Sequence, residues 1–296
     1  MINVKLKPGR YVVAVSGGVD SMVLLDILRR QPELELLVAH VNHGIRKDSQ
    51  YDEELVRKVC TDLKLTFRST RLNLKGNSSE EVARNLRYAF LQQCSKKFKA
   101  DAILVAHHKD DLVETALINI IRGTGWRGLA PFVESRVLRP LLDFTKDQII
   151  GYARKNNVVW REDSTNSNEA YLRNYIRLSL IPALNQKSQT WDKIILQQIR
   201  KQQYLSTQID VELEILSQKS KIESGISRYW LIMLPKKVAY ELLQFSFKKY
   251  TGNSLQQKLA ESTLLFAKVA KAGKVILLGK KWQLAATKKE VLLQQI

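Results

Sequence analysis

The chain reads Tyr11-Val12-Val13-Ala14-Val15-Ser16-Gly17-Gly18-Val19-Asp20-Ser21 near its start, and the mostly apolar residues 22–28 follow directly. This order predicts a buried strand, a glycine-rich turn and the first turn of a helix. Gly17 and Gly18 allow the backbone to take positive φ and to approach an anion closely. The free N–H groups and the positive dipole end of the following helix then point toward that anion. The stretch therefore predicts a phosphate site at the end of a buried strand.

The side chains of this turn indicate the kind of phosphate that it binds. Ser16 and Ser21 add hydroxyl donors, whereas Asp20 is an acid that a simple anion site would not favour. An acid is expected there if a cation accompanies the phosphate, as Mg²⁺ accompanies ATP, so Asp20 is also a candidate metal ligand. No Gly-Lys-Ser/Thr follows, so the turn is not a Walker loop. It resembles the SGGxDS loop of the ATP pyrophosphatases, which implies cleavage of ATP to AMP and pyrophosphate; an ordinary strand-to-helix turn is the alternative.

Length and composition bound the class of protein. The 296 residues suffice for about two domains, and 45% hydrophobic residues suffice for a packed core. No apolar run approaches the roughly 20 residues of a membrane helix, and the first residues lack the apolar stretch of a signal peptide. Cys60 and Cys94 form no C-x-x-C motif, so neither a disulfide framework nor a zinc site is indicated. These features predict a cytoplasmic protein without a membrane partner.

The formal net charge of +19 predicts a polyanionic partner. Residues 1–190 carry 30 Lys and Arg against 21 Asp and Glu, whereas residues 191–296 carry 18 against 8 and contain neither His nor Cys. We therefore predict a catalytic domain over residues 1–190 and a smaller, mostly helical, basic domain over residues 191–296 that binds nucleic acid. The alternative is a set of solvated surface lysines.

Residues 1–185 alternate between strand-like and helix-like segments. The pattern predicts five strands, at residues 11–15, 34–42, 65–68, 102–106 and 137–141. It predicts helices from residue 22, over 52–63, from a Ser78–Glu81 capping box through 98, over 110–121, and after Thr145. This repetition predicts an α/β fold with a doubly wound parallel sheet, whose ligands bind at the carboxyl ends of the strands.

Polar residues follow two of these strands. His40, Asn42 and His43 end the second strand, where contact with the adenosine half of ATP is favoured over a metal site, because no third ligand has suitable spacing. His108 follows the fourth strand, and Asp111 and Glu114 lie three residues apart on one face of a helix start. These two acids could be solvated, or could bind an ammonium group or Mg²⁺, or could take a proton from a nucleophile.

Arginines cluster in three further segments. Arg84 and Arg87 share a helical face. Residues 122–129 form a basic loop that contains three glycines. Arg173 and Arg177 follow an acidic stretch. One guanidinium group can bind two phosphate oxygens at once. These segments therefore predict contacts with ATP or with an RNA backbone.

Taken in order, these motifs resemble those of the tRNA(Ile)-lysidine synthase family, in its short form. They are SGGVDS (16–21), HVNHGIR (40–46), EEVARNLRY (80–88), HHKDDLVET (107–115), RGTGWRGL (122–129), RPLL (139–142) and EDSTNSNEAYLRNYIR (162–177). Residues 273–285 resemble, more weakly, the family's small C-terminal RNA-binding domain.

The resemblance implies ATP-dependent ligation of free L-lysine to the wobble cytidine of the isoleucine tRNA with a CAU anticodon, through an adenylated cytidine. It implies a catalytic set, a nucleotide set and a Mg²⁺ ion near Asp20. The catalytic set is Asp20, Arg87, Asp111, Glu114 and Arg173. The nucleotide set is Ala14, Ser16, Gly17, Gly18, Val19, Asp20, Ser21, His40, Asn42 and His108. A tRNA thiolase with the same loop and a non-catalytic, nucleotide-dependent RNA-binding protein are the alternatives. A homodimer is one option for the assembly.

Overall fold

The structure is a computed structural model that describes residues 2–42, 44, 49–72, 80–133, 136–162, 172–222 and 225–296. The chain divides into two compact units, Met1–Gln203 and Tyr204–Ile296. None of the described helices combines the length and the apolar character that a membrane crossing requires.

A parallel sheet forms the centre of the first unit. Within its described residues, five strands lie in the order β3-β2-β1-β4-β5 and every neighbouring pair is parallel. The strands are β1 Gly9–Ala14, β2 Leu34–Asn42, β3 Thr66–Arg71, β4 Ala102–Leu104 and β5 Val137–Leu138. Because the chain leaves β1 toward β2 and later returns to its other side as β4, a crevice opens between the carboxyl ends of β1 and β4.

Helices cover both faces of this sheet. In chain order they are α1 Val19–Leu28, α2 Ser49–Asp62, α3 Glu80–Phe98, α4 Lys109–Ile121, α5 Gly125–Gly128, α6 Lys146–Lys155, α7 Leu172–Tyr175 and α8 Ile181–Lys187, with a π-helical turn at Ile176–Leu180 between the last two. Val13 of β1 packs in one core with residues of α1, α2 and α6, whereas its neighbour Val12 packs in a second core with residues of α3. This alternation places helices on the two faces, so the predicted doubly wound α/β fold is confirmed.

Several element ends differ from the sequence-based expectation. β4 and β5 are shorter than predicted, and β3 extends to Arg71 because its residues pair with β2 up to Asn42. Thr145 caps α6 as expected, since its hydroxyl accepts from the Gln148 backbone N–H. Ser78 lies outside the described residues, so the Ser78–Glu81 capping box stays a prediction.

The second unit is built around an antiparallel sheet that the sequence analysis did not predict. Its described strands lie in the order β6-β7-β10-β9-β8, with β6 Lys221–Ile222, β7 Gly225–Ser227, β8 Val275–Leu277, β9 Trp282–Ala286 and β10 Glu290–Gln295. The helices are the later part of α9 Trp191–Ser220, followed by α10 Arg228–Met233, α11 Lys236–Thr251 and α12 Gln257–Val269. Leu242, Leu264, Leu284 and Val291 pack in one core between helices and sheet. More residues lie in helices than in strands, in line with a mostly helical domain.

The boundary between the units lies inside α9. The sequence analysis placed it at residue 190, before this helix begins, and the first compact unit continues to Gln203. The reason is packing, because Leu196 and Ile199 of α9 lie in one core with Leu112 and Val113 of α4.

Arg228 links two parts of the second unit. Its guanidinium donates to the carbonyl oxygens of Ala267 and Lys268 at the end of α12, at 2.9 and 3.0 Å, and to Thr287 O at 2.9 Å. A cation at a helix C-terminus also interacts favourably with the helix dipole. Arg228 is the single arginine in residues 204–296 of the sequence, so the remaining positive charge of this unit comes from lysines.

Candidate active site

The turn between β1 and α1 is closed by hydrogen bonds of its own serines. Ser21 Oγ donates to Gly18 O at 2.9 Å and accepts from the Ser16 backbone N–H at 3.1 Å, so the two ends of the turn are tied together. Gly17 has φ +96°, as expected. The expectation of positive φ at Gly18 is wrong: Gly18 is extended, with φ −76° and ψ 161°, because it serves as the N-cap of α1.

Alanine substitutions at Gly17 and Gly18 are therefore expected to affect stability differently. Gly17→Ala forces a side chain into the left-handed region and is expected to cost about 1–2 kcal/mol of unfolding free energy. A Cβ on Gly18 would lie 3.6 Å from Ser16 Oγ, an ordinary contact. Gly18→Ala is therefore expected to leave stability within about 0.5 kcal/mol of wild type but to weaken ATP binding. Denaturant unfolding and equilibrium dialysis with ATP measure the two effects. Wild-type ATP affinity in Gly18→Ala would show that phosphate does not approach Gly18.

Asp20 lies in the first turn of α1 and faces residues from two other strand ends. Both of its carboxylate oxygens accept from Lys146 Nζ at 2.7 Å. His108 Nε2 lies 3.9 Å from Asp20 Oδ1 and 3.4 Å from Asp111 Oδ2. The crevice thus brings together three of the predicted site residues, Asp20, His108 and Asp111. Lys146, at the start of α6, was not singled out from the sequence, where its neighbour Thr145 was noted only for its capping role.

Glu114 is a buried carboxylate held by arginine. Its relative exposure is 1%, and its two oxygens accept from Arg177 Nε and Nη2 at 2.6 and 2.9 Å. Arg173 Nε lies 3.7 Å from Glu114 Oε2, and Arg173 Nη2 donates to Thr115 Oγ1 at 3.3 Å. Burial raises the pKa of Glu114, and the Arg177 guanidinium opposes that rise. The bidentate contact with Arg177 therefore favours the charged form of this buried carboxyl group.

Asp111 is the more accessible acid of the pair on α4. Its side chain is 17% exposed, and Oδ2 accepts from the His108 backbone N–H at 3.0 Å. Arg177 Nη2 lies 3.8 Å from Asp111 Oδ1, so one arginine lies near both acids. The expected common face of Asp111 and Glu114 is present, and Asp111 is the member that can meet a ligand without displacing a guanidinium.

His107 precedes His108 in the segment between β4 and α4. Its ring stacks on Phe132, with 4.7 Å between the centroids, and burial lowers the pKa of His107 to about 4, so the imidazole is neutral near pH 7. Arg84 and Arg87 of α3 lie near enough to contribute to this lowered pKa. Arg84 also lies over the Tyr88 ring, at 5.0 Å from its centroid. The α3 arginines therefore flank the same strand end as Asp111.

His40 and Asn42 hold the end of β2 in place. His40 is 2% exposed, its Nδ1–H donates to Val15 O at 2.8 Å, and burial lowers the pKa of its ring. The Asn42 amide donates to Ser49 O at 3.2 Å, and its oxygen accepts from the Gly44 N–H at 2.9 Å. These contacts order the backbone beside the phosphate turn. Contact of either residue with adenosine stays a prediction.

Arg161 is a further residue at the turn that the sequence analysis missed. Its backbone N–H donates to Gly17 O at 3.0 Å, and its Nε donates to Asp52 Oδ1 at 3.1 Å. The guanidinium also lies over the Tyr51 ring, at 5.2 Å from its centroid. The signal in the sequence is weak, because Arg161 precedes the acidic motif by one residue and lies far from the glycine turn along the chain.

Parts of two motifs cannot be placed. His43, Arg46 and residues 163–171 lie outside the described residues. The basic loop at 122–129 is described and contains the short helix α5, in which Arg127 lies 4.6 Å from the Trp126 ring centroid.

The described residues contain no group of three or more His, Cys, Asp or Glu side chains that could hold a metal ion by themselves. Mg²⁺ in nucleotide sites is usually held by one or two carboxylates together with substrate phosphates and water. Asp20, beside the glycine turn, fits such an ion. The Asp20 carboxylate would then exchange its bond to Lys146 for the metal.

Comparisons with known proteins agree with this geometry. A family model described as PP-loop domain matches residues 2–184. A protein of Thermotoga maritima named tRNA(Ile)-lysidine synthase is 41% identical over 197 residues, which cover 62% of this chain and 48% of that protein. One of the same name from Enterococcus faecalis is 36% identical over 217 residues, covering 68% and 47%. The chain thus spans about half the length of the curated relatives it matches.

Among solved structures, a U34-tRNA thiolase of Methanococcus maripaludis with its [4Fe-4S] cluster aligns with a TM-score of 0.56 at 19% identity. The alignment covers 66% of this chain and 71% of the thiolase. This likeness shows a shared fold.

Proposed function

Since the chain belongs to the PP-loop domain family, we propose that it uses ATP to join lysine to the wobble cytidine of an isoleucine tRNA with a CAU anticodon. The observation that carries the proposal is the crevice between β1 and β4. There, Asp20 of the glycine turn lies 3.9 Å from His108, which lies 3.4 Å from Asp111, and Arg177 bridges Asp111 and Glu114. The proposed phosphate site thus lies next to the acidic side chains of α4. Relatives named tRNA(Ile)-lysidine synthase support the same assignment.

The first chemical step needs a phosphate site. The 2-carbonyl oxygen of cytidine attacks the α-phosphorus of ATP, a P–O bond forms, and pyrophosphate leaves with the electrons of the broken P–O bond. The N–H groups of the turn and the start of α1 bind the departing phosphates. Asp20 would hold Mg²⁺, which supplies positive charge to the phosphate oxygens. The wobble base must leave its stack to enter the crevice, as with other enzymes that act on bases.

The second step needs a site for an amine. The ε-nitrogen of lysine forms a bond with C2 of the adenylated cytidine, and AMP leaves with the electrons of the C–O bond. Asp111 is the accessible carboxylate that attracts the ammonium and accepts its proton. Glu114 pairs with Arg177 and holds that arginine near Asp111. Arg173 and Arg87 are the proposed contacts for the phosphate of the adenylate or for the anticodon backbone.

The second unit supplies the proposed tRNA surface. Residues 204–296 contain 15 Lys and Arg against 7 Asp and Glu, a net charge of +8. Lysines at both ends of α11 and in the turn before β9 are exposed: Lys236, Lys237, Lys248, Lys249, Lys280 and Lys281. Lys249 already pairs with Glu214, at 2.6 and 2.7 Å. The other five are the better candidates for phosphate contacts.

Replacing Lys236, Lys237, Lys248, Lys280 and Lys281 with glutamine is expected to weaken tRNA binding and to flatten its dependence on salt. A plot of log K against the logarithm of salt concentration has a negative slope. Each lost phosphate contact makes that slope less steep by about 0.7–0.9. The matched control is Glu214→Gln with Lys249→Gln, which removes an ion pair without changing net charge. Filter binding at several salt concentrations measures the slopes. An unchanged slope in the five-lysine variant would show that these lysines do not contact the tRNA phosphates.

A thiolase reaction fits this chain less well. A [4Fe-4S] cluster is held by cysteine thiolates, and the sequence contains two cysteines. Cys60 lies in α2 and Cys94 in α3, and the two pack in separate cores on opposite faces of the sheet. Burial raises the pKa of Cys60 to about 11 and also raises the pKa of Cys94, so neither thiol is poised to react.

The function is tested by incubating the protein with ATP, radiolabelled lysine and a transcript of the isoleucine tRNA. ATP-dependent label in the RNA, released as lysidine on nuclease digestion, is the expected result. Initiator methionine tRNA, which shares the CAU anticodon, is the specificity control. Sulfur incorporation in place of lysine would identify a thiolase, and tRNA binding without pyrophosphate release would identify a non-catalytic protein. The cytoplasmic location and a homodimer stay predictions.

A further inference from the structure

An exposed aromatic side chain and an arginine form a pair beside the glycine turn. Tyr51, in the first turn of α2, is 54% exposed, and the guanidinium carbon of Arg161 lies 5.2 Å from the centroid of its ring. The two groups are planar, and one of them is a cation. A nucleobase that has left its own stack can stack on an aromatic ring or on a guanidinium plane. The pair therefore has the chemistry of a surface for an unstacked base.

Several contacts tie this pair to the glycine turn. The Arg161 backbone N–H donates to Gly17 O at 3.0 Å. On the other side of the pair, Asp52 follows Tyr51 in α2, and a Cβ on Gly17 would lie 3.4 Å from the Cβ and the carbonyl oxygen of Asp52. The Arg161 Nε group donates to Asp52 Oδ1 at 3.1 Å, which joins the two segments to each other. The pair is therefore held at the rim of the proposed phosphate site, on the side of α2.

The Arg161 side chain is oriented and still accessible. It is 42% exposed, and Asp52 takes its Nε group, so both Nη groups can donate to a further acceptor. An ion pair with this access to water contributes little to stability, so folding alone does not explain the arrangement. Because a guanidinium is both flat and charged, it can stack on a base and also contact a phosphate of the RNA backbone.

The proposed reaction leaves one base in need of such a surface. When the wobble cytidine leaves its stack to enter the crevice, the next base of the anticodon loses its stacking partner. In a CAU anticodon that base is an adenine, whose two fused rings offer a larger stacking area than a pyrimidine does. We infer that Tyr51 and Arg161 form a stacking platform for this adenine. The inference rests on the proposed function, and it assigns to that function a specificity-determining contact with the middle base of the anticodon.

The test uses the full-length protein and an anticodon stem-loop RNA in which 2-aminopurine replaces this adenine. The fluorescence of 2-aminopurine falls when it stacks on an aromatic ring. Wild-type protein and Tyr51→Phe are expected to quench it, and Tyr51→Ala is expected to lose the quenching. Tyr51→Ala should also raise the Kd for the stem-loop by about 5- to 150-fold, the range for one lost base stack. Tyr204→Ala, which removes an exposed tyrosine from α9, is the matched control and should behave like wild type.

A second variant and a second ligand separate a base contact from other roles of the pair. Arg161→Lys keeps the charge and removes the plane, so it should raise the Kd for the stem-loop by at least about 5-fold. The Kd for ATP should stay at its wild-type value in both Tyr51→Ala and Arg161→Lys, with circular dichroism to check that the variants are folded. Weaker ATP binding in these folded variants would overturn the inference, because it would place the pair in the nucleotide site.

The outcomes also distinguish the platform from the proposed ligation. Wild-type protein that incorporates lysine, together with unchanged quenching in Tyr51→Ala, would overturn the platform and leave the function valid. Wild-type protein that incorporates no lysine but quenches 2-aminopurine through Tyr51 would refute the function and leave the platform valid.

Discussion

Replacing Asp20 with asparagine is expected to reduce tRNA-dependent pyrophosphate release from ATP by at least about 100- to 1,000-fold, the usual effect of losing one group that stabilises charge in the transition state. The amide keeps the shape of the side chain but removes the charge that pairs with Lys146 at 2.7 Å and that would hold Mg²⁺. Lysine incorporation is expected to fall by the same factor, because the adenylate is formed first.

The fold of this variant should be intact. Asp20 is a first-turn acid of α1, and interaction with the helix dipole contributes about 0.3–1 kcal/mol. Asp147→Asn is the matched control, because Asp147 is an exposed first-turn acid of α6. Pyrophosphate release is followed with a coupled phosphate assay, and unfolding by circular dichroism. Wild-type pyrophosphate release by Asp20→Asn would refute the assignment of this turn as the ATP site.

The fold of the first unit and the turn between β1 and α1 were predictable because local signals determine them. The alternation of strand-like and helix-like segments predicted the doubly wound sheet, and the glycine-rich stretch predicted the turn between β1 and α1. Phosphate binding at that turn stays a prediction. Short strands such as β6 and β8, of two and three residues, carry too little periodicity to be found this way. The antiparallel sheet of the second unit was therefore missed.

The side-chain pairs of the site could not be predicted, because they join residues far apart in the sequence. Lys146 meets Asp20 across 126 positions, and Arg177 meets Glu114 across 63. Arginines and acids were each noted from the sequence, but no local pattern says which arginine neutralises which acid. The structure shows that Arg177 pairs with Glu114, and this changes the expected roles of the two acids on α4.

Asp111→Asn is expected to raise the KM for lysine by about 10- to 150-fold while the KM for ATP stays near its wild-type value. Asp111 is the accessible carboxylate, and an ammonium that loses a charged partner loses roughly 1.5–3 kcal/mol of binding free energy. The hydrogen bond that Asp111 accepts from the His108 backbone N–H can be kept by the amide oxygen of asparagine. Steady-state lysine incorporation at saturating tRNA measures both KM values.

Glu114→Gln is the comparison that separates the two acids, and its expected effect is of a different kind. The Glu114 carboxylate accepts both hydrogen bonds from Arg177, whereas a glutamine oxygen can replace only one acceptor and its NH₂ group faces a donor. Loss of this buried charged contact is expected to cost about 1.5–3 kcal/mol of unfolding free energy. With Arg177 displaced, the KM values for lysine and ATP should both rise. If Asp111→Asn instead raised the two KM values equally and Glu114→Gln affected lysine alone, Glu114 would be the ammonium ligand and Asp111 would belong to the nucleotide site.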